Sequence, residues 1–124
     1  MIAVDTSTVI AYLQGETGVD VEAADRALGD QQVALPPVVL CELLSDPTLS
    51  KKVRSLLQAV PLLPVTEGYW ARAGDLRSRF LASGQKARLS DTLIAQSCID
   101  HGVALITRDV DFRHFRRQGL SVLP

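Results

Sequence analysis

Four carboxylates stand where a fold could collect them: Asp5, Glu42, Asp91 and Asp109. Asp5 directly follows a short apolar run, Ile2 to Val4. Asp109 follows another, Val103 to Ile106, after Thr107 and Arg108. Ligands of open parallel sheets gather at the carboxyl ends of the strands, so these two acids could share one crevice. An Asp after a strand also caps the next helix, which explains either residue taken alone. Glu42 is different, because it interrupts an apolar helix (Val38-Val39-Leu40-Cys41, then Leu43-Leu44). A lone buried charge there is costly or takes up a proton, so Glu42 needs a metal, an arginine or a water-filled pocket. Asp91 opens another apolar helix, where the helix dipole alone favours a carboxylate by a few tenths to about 1 kcal/mol.

A metal site gives all four a common reason. Carboxylates facing one another raise each other's pKa, whereas hard divalent cations such as Mg²⁺ or Mn²⁺ seek oxygen ligands. Two such ions roughly 3.5–4 Å apart activate a water and stabilise the leaving oxygen in phosphodiester cleavage. Competing chemistries find less support. His101 and His114 are the only histidines, and His101, before Gly102, reads as a helix-end cation. Nothing places either beside a nucleophile, as a Ser/His/Asp or Cys/His mechanism needs.

The elements that must position the acids alternate. Strands are expected at Ile2–Val4, 33–35, 62–65, 103–106 and 120–122. Helices are expected after Thr6-Ser7-Thr8, whose hydroxyls are expected to cap the first, and over 19–28. Others should start at Pro36-Pro37 and span 49–60 and 67–81. The last two should start at Ser90, as a cap, and cover 109–116. Strands alternating with helices argue for a parallel sheet covered on both faces. The expectation is one three-layer α/β/α domain over residues 1–124, with a short parallel sheet of four to five strands.

Composition agrees: 124 residues, 47% hydrophobic and 22% charged, with a formal net charge of -1. Such a chain does not coat nucleic acid by bulk charge; it needs a local basic patch or metal ions. Lys86, Arg88, Arg108 and Arg113 neighbour the acids in sequence and have the best claim to RNA phosphates. Lys51, Lys52 and Arg54 read as a solvated helix face. Cys41 and Cys98 lie in apolar runs and read as buried thiols, without zinc spacing. Trp70 and Phe80 read as packing residues. No signal peptide or membrane span is recognised, which gives a cytoplasmic expectation.

The opening IAVDTSTVIAYL, the helix PPVVLCELL, the segment SDTLIAQSCIDHGVALITRD and the terminal DVDFRHF together resemble the PIN-domain nucleases, and among them the VapC-type toxins of toxin–antitoxin pairs. The pieces stand in the family's order across nearly the whole chain. The resemblance implies a PIN-like fold and Mg²⁺- or Mn²⁺-dependent cleavage of RNA. It implies Asp5, Asp91 and Asp109 as metal ligands. It implies that Glu42 binds metal directly or through water, or helps activate the attacking water. Thr6, Ser7 and Thr107 match positions that hold water or a carboxylate. Asp111 is either a further site residue or an ordinary first-turn acid. The resemblance also implies a homodimer neutralised by an antitoxin. Two alternatives remain: a PIN nuclease of RNA processing or decay, or a PIN domain kept only for binding, against which the complete acidic set argues. A phospho-acceptor receiver module fits poorly, because LLPVTEG lacks its Asp and SVLP lacks its Lys.

Overall fold

A computed structural model describes residues 1–124. Strand β1 (Ala3–Val4) is followed by α1 (Thr6–Leu13), α2 (Val19–Gly29), α3 (Pro37–Leu44), α4 (Lys51–Gln58), α5 (Tyr69–Ala82) and α6 (Leu89–His101). Strand β2 (Leu105–Ile106), a 3₁₀ helix (Val110–Gln118) and β3 (Val122–Leu123) close the chain. The sheet is parallel, in the order β1-β2-β3, with Ala3 opposite Leu105 and Leu105 opposite Val122. Its strands are apolar without alternation because both faces are covered; Ala3, Val4, Leu105 and Ile106 are all buried.

The sheet has three strands rather than the expected four to five. The segments at 33–35 and 62–65 join it only through single parallel bridges, Ile2 to Val33 and Leu35 to Leu62. Proline accounts for the shortfall. Pro36 and Pro37 follow Leu35, Pro61 precedes the other segment and Pro64 lies within it, each removing a ladder donor. What remains is a pair of bonds at each bridge: Ile2 N–H to the Gln32 carbonyl (2.7 Å) with Ala34 N–H to the Ile2 carbonyl (3.0 Å), and Leu35 N–H to the Pro61 carbonyl (2.8 Å) with Leu63 N–H to the Leu35 carbonyl (2.9 Å).

Helix phase corrects three further expectations. α3 buries Val39 and Leu43, one turn apart, so Cys41 and Glu42 face outward and are exposed; only Cys98 is a buried thiol, its pKa pushed up to about 12 by desolvation. α5 buries Tyr69, Ala73, Leu76 and Phe80, which leaves Trp70 64% exposed. Neither expected hydroxyl cap forms: Asp5 and Arg88 occupy the N-cap positions of α1 and α6 without side-chain capping bonds. Ser50 does cap α4, accepting from Val53 N–H. No helix is long and apolar enough to cross a membrane.

A polar clamp ties the helices near the sheet edge. Asp20 of α2 is buried, and accepts from the Thr8 hydroxyl (2.9 Å) and from Arg108 Nε (2.8 Å). Arg108 holds its carboxyl below the usual range. Gly18 makes room: at φ +151° it has no side chain, and a Cβ there would lie 2.6 Å from Asp20 Oδ1. A second pair, Arg72 to Asp100 (2.7 Å), joins α5 to α6, with Gln96 donating to the same carboxylate.

Candidate functional site

The register places the first and last acids of the set side by side. Asp5 follows β1, and its N–H donates to the Ile106 carbonyl of β2 (2.9 Å); Asp109 lies three residues beyond Ile106. Asp5 is only 4% exposed. Its Oδ2 accepts from the Ser7 hydroxyl (2.8 Å) and from the Thr107 hydroxyl (2.9 Å). Thr107 also accepts from Asp109 N–H (3.0 Å), so one hydroxyl sets the spacing of both acids.

Thr6 donates to Glu42 Oε1 (2.8 Å), bringing α3 to the start of α1. The expected caps fail because Thr6 and Ser7 lie inside the first turn of α1, and Ser90 inside that of α6, past the N-cap positions. Glu42 forms no ion pair with an arginine and, being exposed, avoids the desolvation penalty expected of it. Asp91 sits in the first turn of α6, as expected. Asp111 is exposed; its backbone N–H donates to Asp109 Oδ1 (2.9 Å), making Asp109 the cap of the 3₁₀ helix.

The acids sense one another. Burial raises the pKa of Asp5 most, and the charge of Asp109 adds to it, against the lowering effect of the hydroxyl bonds. Asp91 is pushed up to about 6, first by burial and then by the charges of Asp109 and Asp5, with Glu42 adding a smaller push and Arg88 opposing. The charges of Asp5, Glu42 and Asp109 thus all reach Asp91, and Arg88 opposes them there. An all-oxygen, mutually repelling donor set suits a hard cation. No three of the chain's His, Cys, Asp and Glu side chains close tightly enough to form a cluster that would hold an ion unaided.

Of the proposed phosphate-binding residues, Lys86 and Arg88 line a 460 Å³ cavity together with Asp91, Asp111 and His114. Arg113 lines a smaller cavity beside Asp109. Arg108 lines that same cavity, with its guanidinium engaged by Asp20 and approached by Glu16 at 3.9 Å as part of the clamp. His101 donates from its Nε2–H to the Pro64 carbonyl (2.7 Å) and anchors a loop. The sequence did not single out Asp20, one of two acids in the first turn of α2, as the partner of Arg108, nor His114 as a neighbour of Asp91.

A parallel sheet with acids at the carboxyl ends of β1 and β2, joined by Glu42 and Asp91 from two helices, defines a class. The model of the PIN domain matches residues 2–118, and the chain belongs to the PIN-domain family. Its sequence is similar to ribonuclease VapC11 of Mycobacterium tuberculosis, at 28% identity over 119 residues, covering 90% of this chain and 89% of that one. In fold it is similar to VapBC-1 from nontypeable Haemophilus influenzae (TM-score 0.77, 19% identity, 99% and 97% of the two chains). It is also similar in fold to VapBC-5 from Mycobacterium tuberculosis, a member of the VapBC family of toxin–antitoxin systems (TM-score 0.63, 24% identity, 98% and 94% of the two chains).

Proposed function

We propose that this chain is a Mg²⁺- or Mn²⁺-dependent endoribonuclease and the toxin of a VapBC-type toxin–antitoxin pair, acting as a homodimer. The observation that carries the nuclease reading is the shared electrostatic neighbourhood of Asp5, Glu42, Asp91 and Asp109 at the sheet edge. A divalent cation held there would act as a Lewis acid towards a phosphate oxygen and would make a bound water more acidic. Asp5, fixed by Ser7 and Thr107, and Asp109, fixed through Thr107, are the prearranged ligands. Asp91, in the first turn of α6, is a third ligand. Glu42 Oε1 is held by Thr6, while Oε2 has no protein partner and is the group to take a proton from the attacking water. Lys86 and Arg88 steer phosphates to the acids.

The similarity to a named ribonuclease and to VapBC assemblies supports both the RNA substrate and the protein partner. A second observation favours a partner: an apolar groove of 340 Å³ lies between α1, α2 and α4, lined only by hydrophobic residues, among them Val9, Leu13, Leu28, Leu56 and Val60. Leu56 is 61% exposed at its rim. Such a groove suits the apolar face of an amphipathic helix. A basic side chain carried by the same partner could pair with the acidic set, a desolvated contact stronger than a surface ion pair.

Inducible expression in a bacterial host tests the reading. Wild type is expected to arrest growth, its cognate partner to relieve the arrest, and the Asp5→Asn form to be harmless. Arrest that survived the substitution would sink the nuclease explanation. Well-expressed but harmless wild type would instead favour a PIN nuclease of RNA processing or decay.

A further inference from the structure

Of the chain's 13 lysines and arginines, only Arg72 and Arg108 form salt bridges. Five of the unpaired ones gather on one side of the acidic site. The cavity of Asp91, Lys86 and Arg88 shares Phe80, Gln85 and His114 with a second cavity of 480 Å³. That second cavity is lined by Arg79, Arg113 and Arg117, and no acid lines it. The two form a continuous trough leading away from the carboxylates.

Local structure explains the trough. Gly84, at φ +78°, turns the chain back at the end of α5, and Gln85 N–H donates to the Phe80 carbonyl (3.0 Å). Arg77 Nε then holds the Ala87 carbonyl (2.9 Å), fixing the loop as one wall. The other wall is the 3₁₀ helix, whose three residues per turn stack side chains in straight columns. Phe112 and Phe115 form the buried column, and Phe115 packs edge-on against Phe80 (4.9 Å) as the floor. Asp111, His114 and Arg117 form the next column, running from the acidic cavity into the basic one.

We infer that this trough is a phosphate-binding track for the single-stranded RNA flanking the cut, with Arg79, Arg113 and Arg117 as a remote subsite. The inference rests on the endoribonuclease reading. Guanidinium forks match phosphate oxygens, and backbone contacts of this kind position a strand without reading its sequence. A peptide is a poorer occupant, since Phe80 is the only apolar side chain among the eight residues lining the basic cavity and amphipathic peptides need apolar anchors.

The test measures binding of a labelled single-stranded RNA of about 12 nucleotides in the Asp5→Asn background, as a function of salt. Arg79→Glu and Arg117→Glu are each expected to weaken binding about tenfold at low salt and to lower the salt slope by about 0.7. Arg116→Glu, on the same 3₁₀ helix but outside both cavities, controls for net charge and should change neither by a comparable amount. With Asp5 intact, Arg117→Glu should raise KM while leaving kcat near wild type. Arg79→Gln and Arg117→Gln replace the reversals if circular dichroism shows misfolding, and should lower the slope equally. Unchanged affinity and slope in the trough variants, or equal losses in the Arg116 control, would overturn the track while RNA cleavage by wild type left the nuclease reading standing. Loss of a co-purifying protein partner with RNA binding intact would overturn it in favour of a protein occupant. Wild type that cleaved no RNA would remove the nuclease reading and the track with it.

Discussion

Asp5 is 4% exposed, with two hydroxyls donating to the same oxygen. Asparagine in its place keeps that acceptor and removes a charge that burial and Asp109 disfavour. Asp5→Asn is therefore expected to retain the fold, with a melting temperature unchanged or raised, while losing activity; unfolding of the variant would show that the charge itself holds the edge together. Asp91 gives a pH-dependent counterpart. Its folded pKa of about 6 lies above the ordinary 3.8, so the folded state holds this proton more tightly than the unfolded one. The cost of the charged group is full above about pH 6 and fades as pH falls towards 3.8. In metal-free buffer, Asp91→Asn should stabilise the protein near pH 8 by about 1–2 kcal/mol, after discounting for partial exposure, and by much less near pH 5. Denaturant melts at the two pH values check this; a gain that grew on acidification would have the wrong sign. Asp109→Ala should cost far more activity than Asp111→Ala, because Asp111 meets Asp109 through its backbone N–H, which alanine keeps. Equal losses measured as kcat/KM would place Asp111 in the chemistry.

At the scale of elements, the sequence declared the acids because strand ends are marked by short apolar runs, and Asp5 and Asp109 follow two of them. Periodicity located every helix. It could not set the phase of a helix as uniformly apolar as α3, so Cys41 and Glu42 seemed buried when only Val39 and Leu43 are. Nor could it count strands where proline leaves one bridge in place of a ladder. The hydroxyls of Thr6 and Ser7 were legible as donors, but their carboxylate acceptors became known only from tertiary structure. The clamp was hidden because Arg108 and Asp20 are 88 residues apart. Its removal should be felt at the site, since Arg108 lies between Thr107 and Asp109. Arg108→Ala is expected to lower stability by about 2 kcal/mol by leaving Asp20 buried without its cation, and to reduce activity indirectly. Stability within about 0.5 kcal/mol of wild type would make the pair an ordinary surface contact. Leu56→Glu, at the groove rim, should leave the melting temperature nearly unchanged and weaken partner binding tenfold or more, as read by titration calorimetry.

On the scale of the whole molecule, a small chain with a near-neutral charge separates its fields. Acids collect at the carboxyl edge of the sheet, unpaired arginines collect beside them, and an apolar groove lies between other helices. On the proposed function, that division would give metal, substrate and inhibitor each a region of matching chemistry. The central claim is that the acidic edge is a metal-dependent RNA-cutting site. Its most direct test is cleavage of RNA by purified, partner-free chain with Mg²⁺ or Mn²⁺, with chelator, and with Asp5→Asn under the same conditions. New RNA ends are expected with either metal, none with chelator, and none with the variant. Cleavage that persisted in the chelator, or at the wild-type rate in Asp5→Asn, would contradict it.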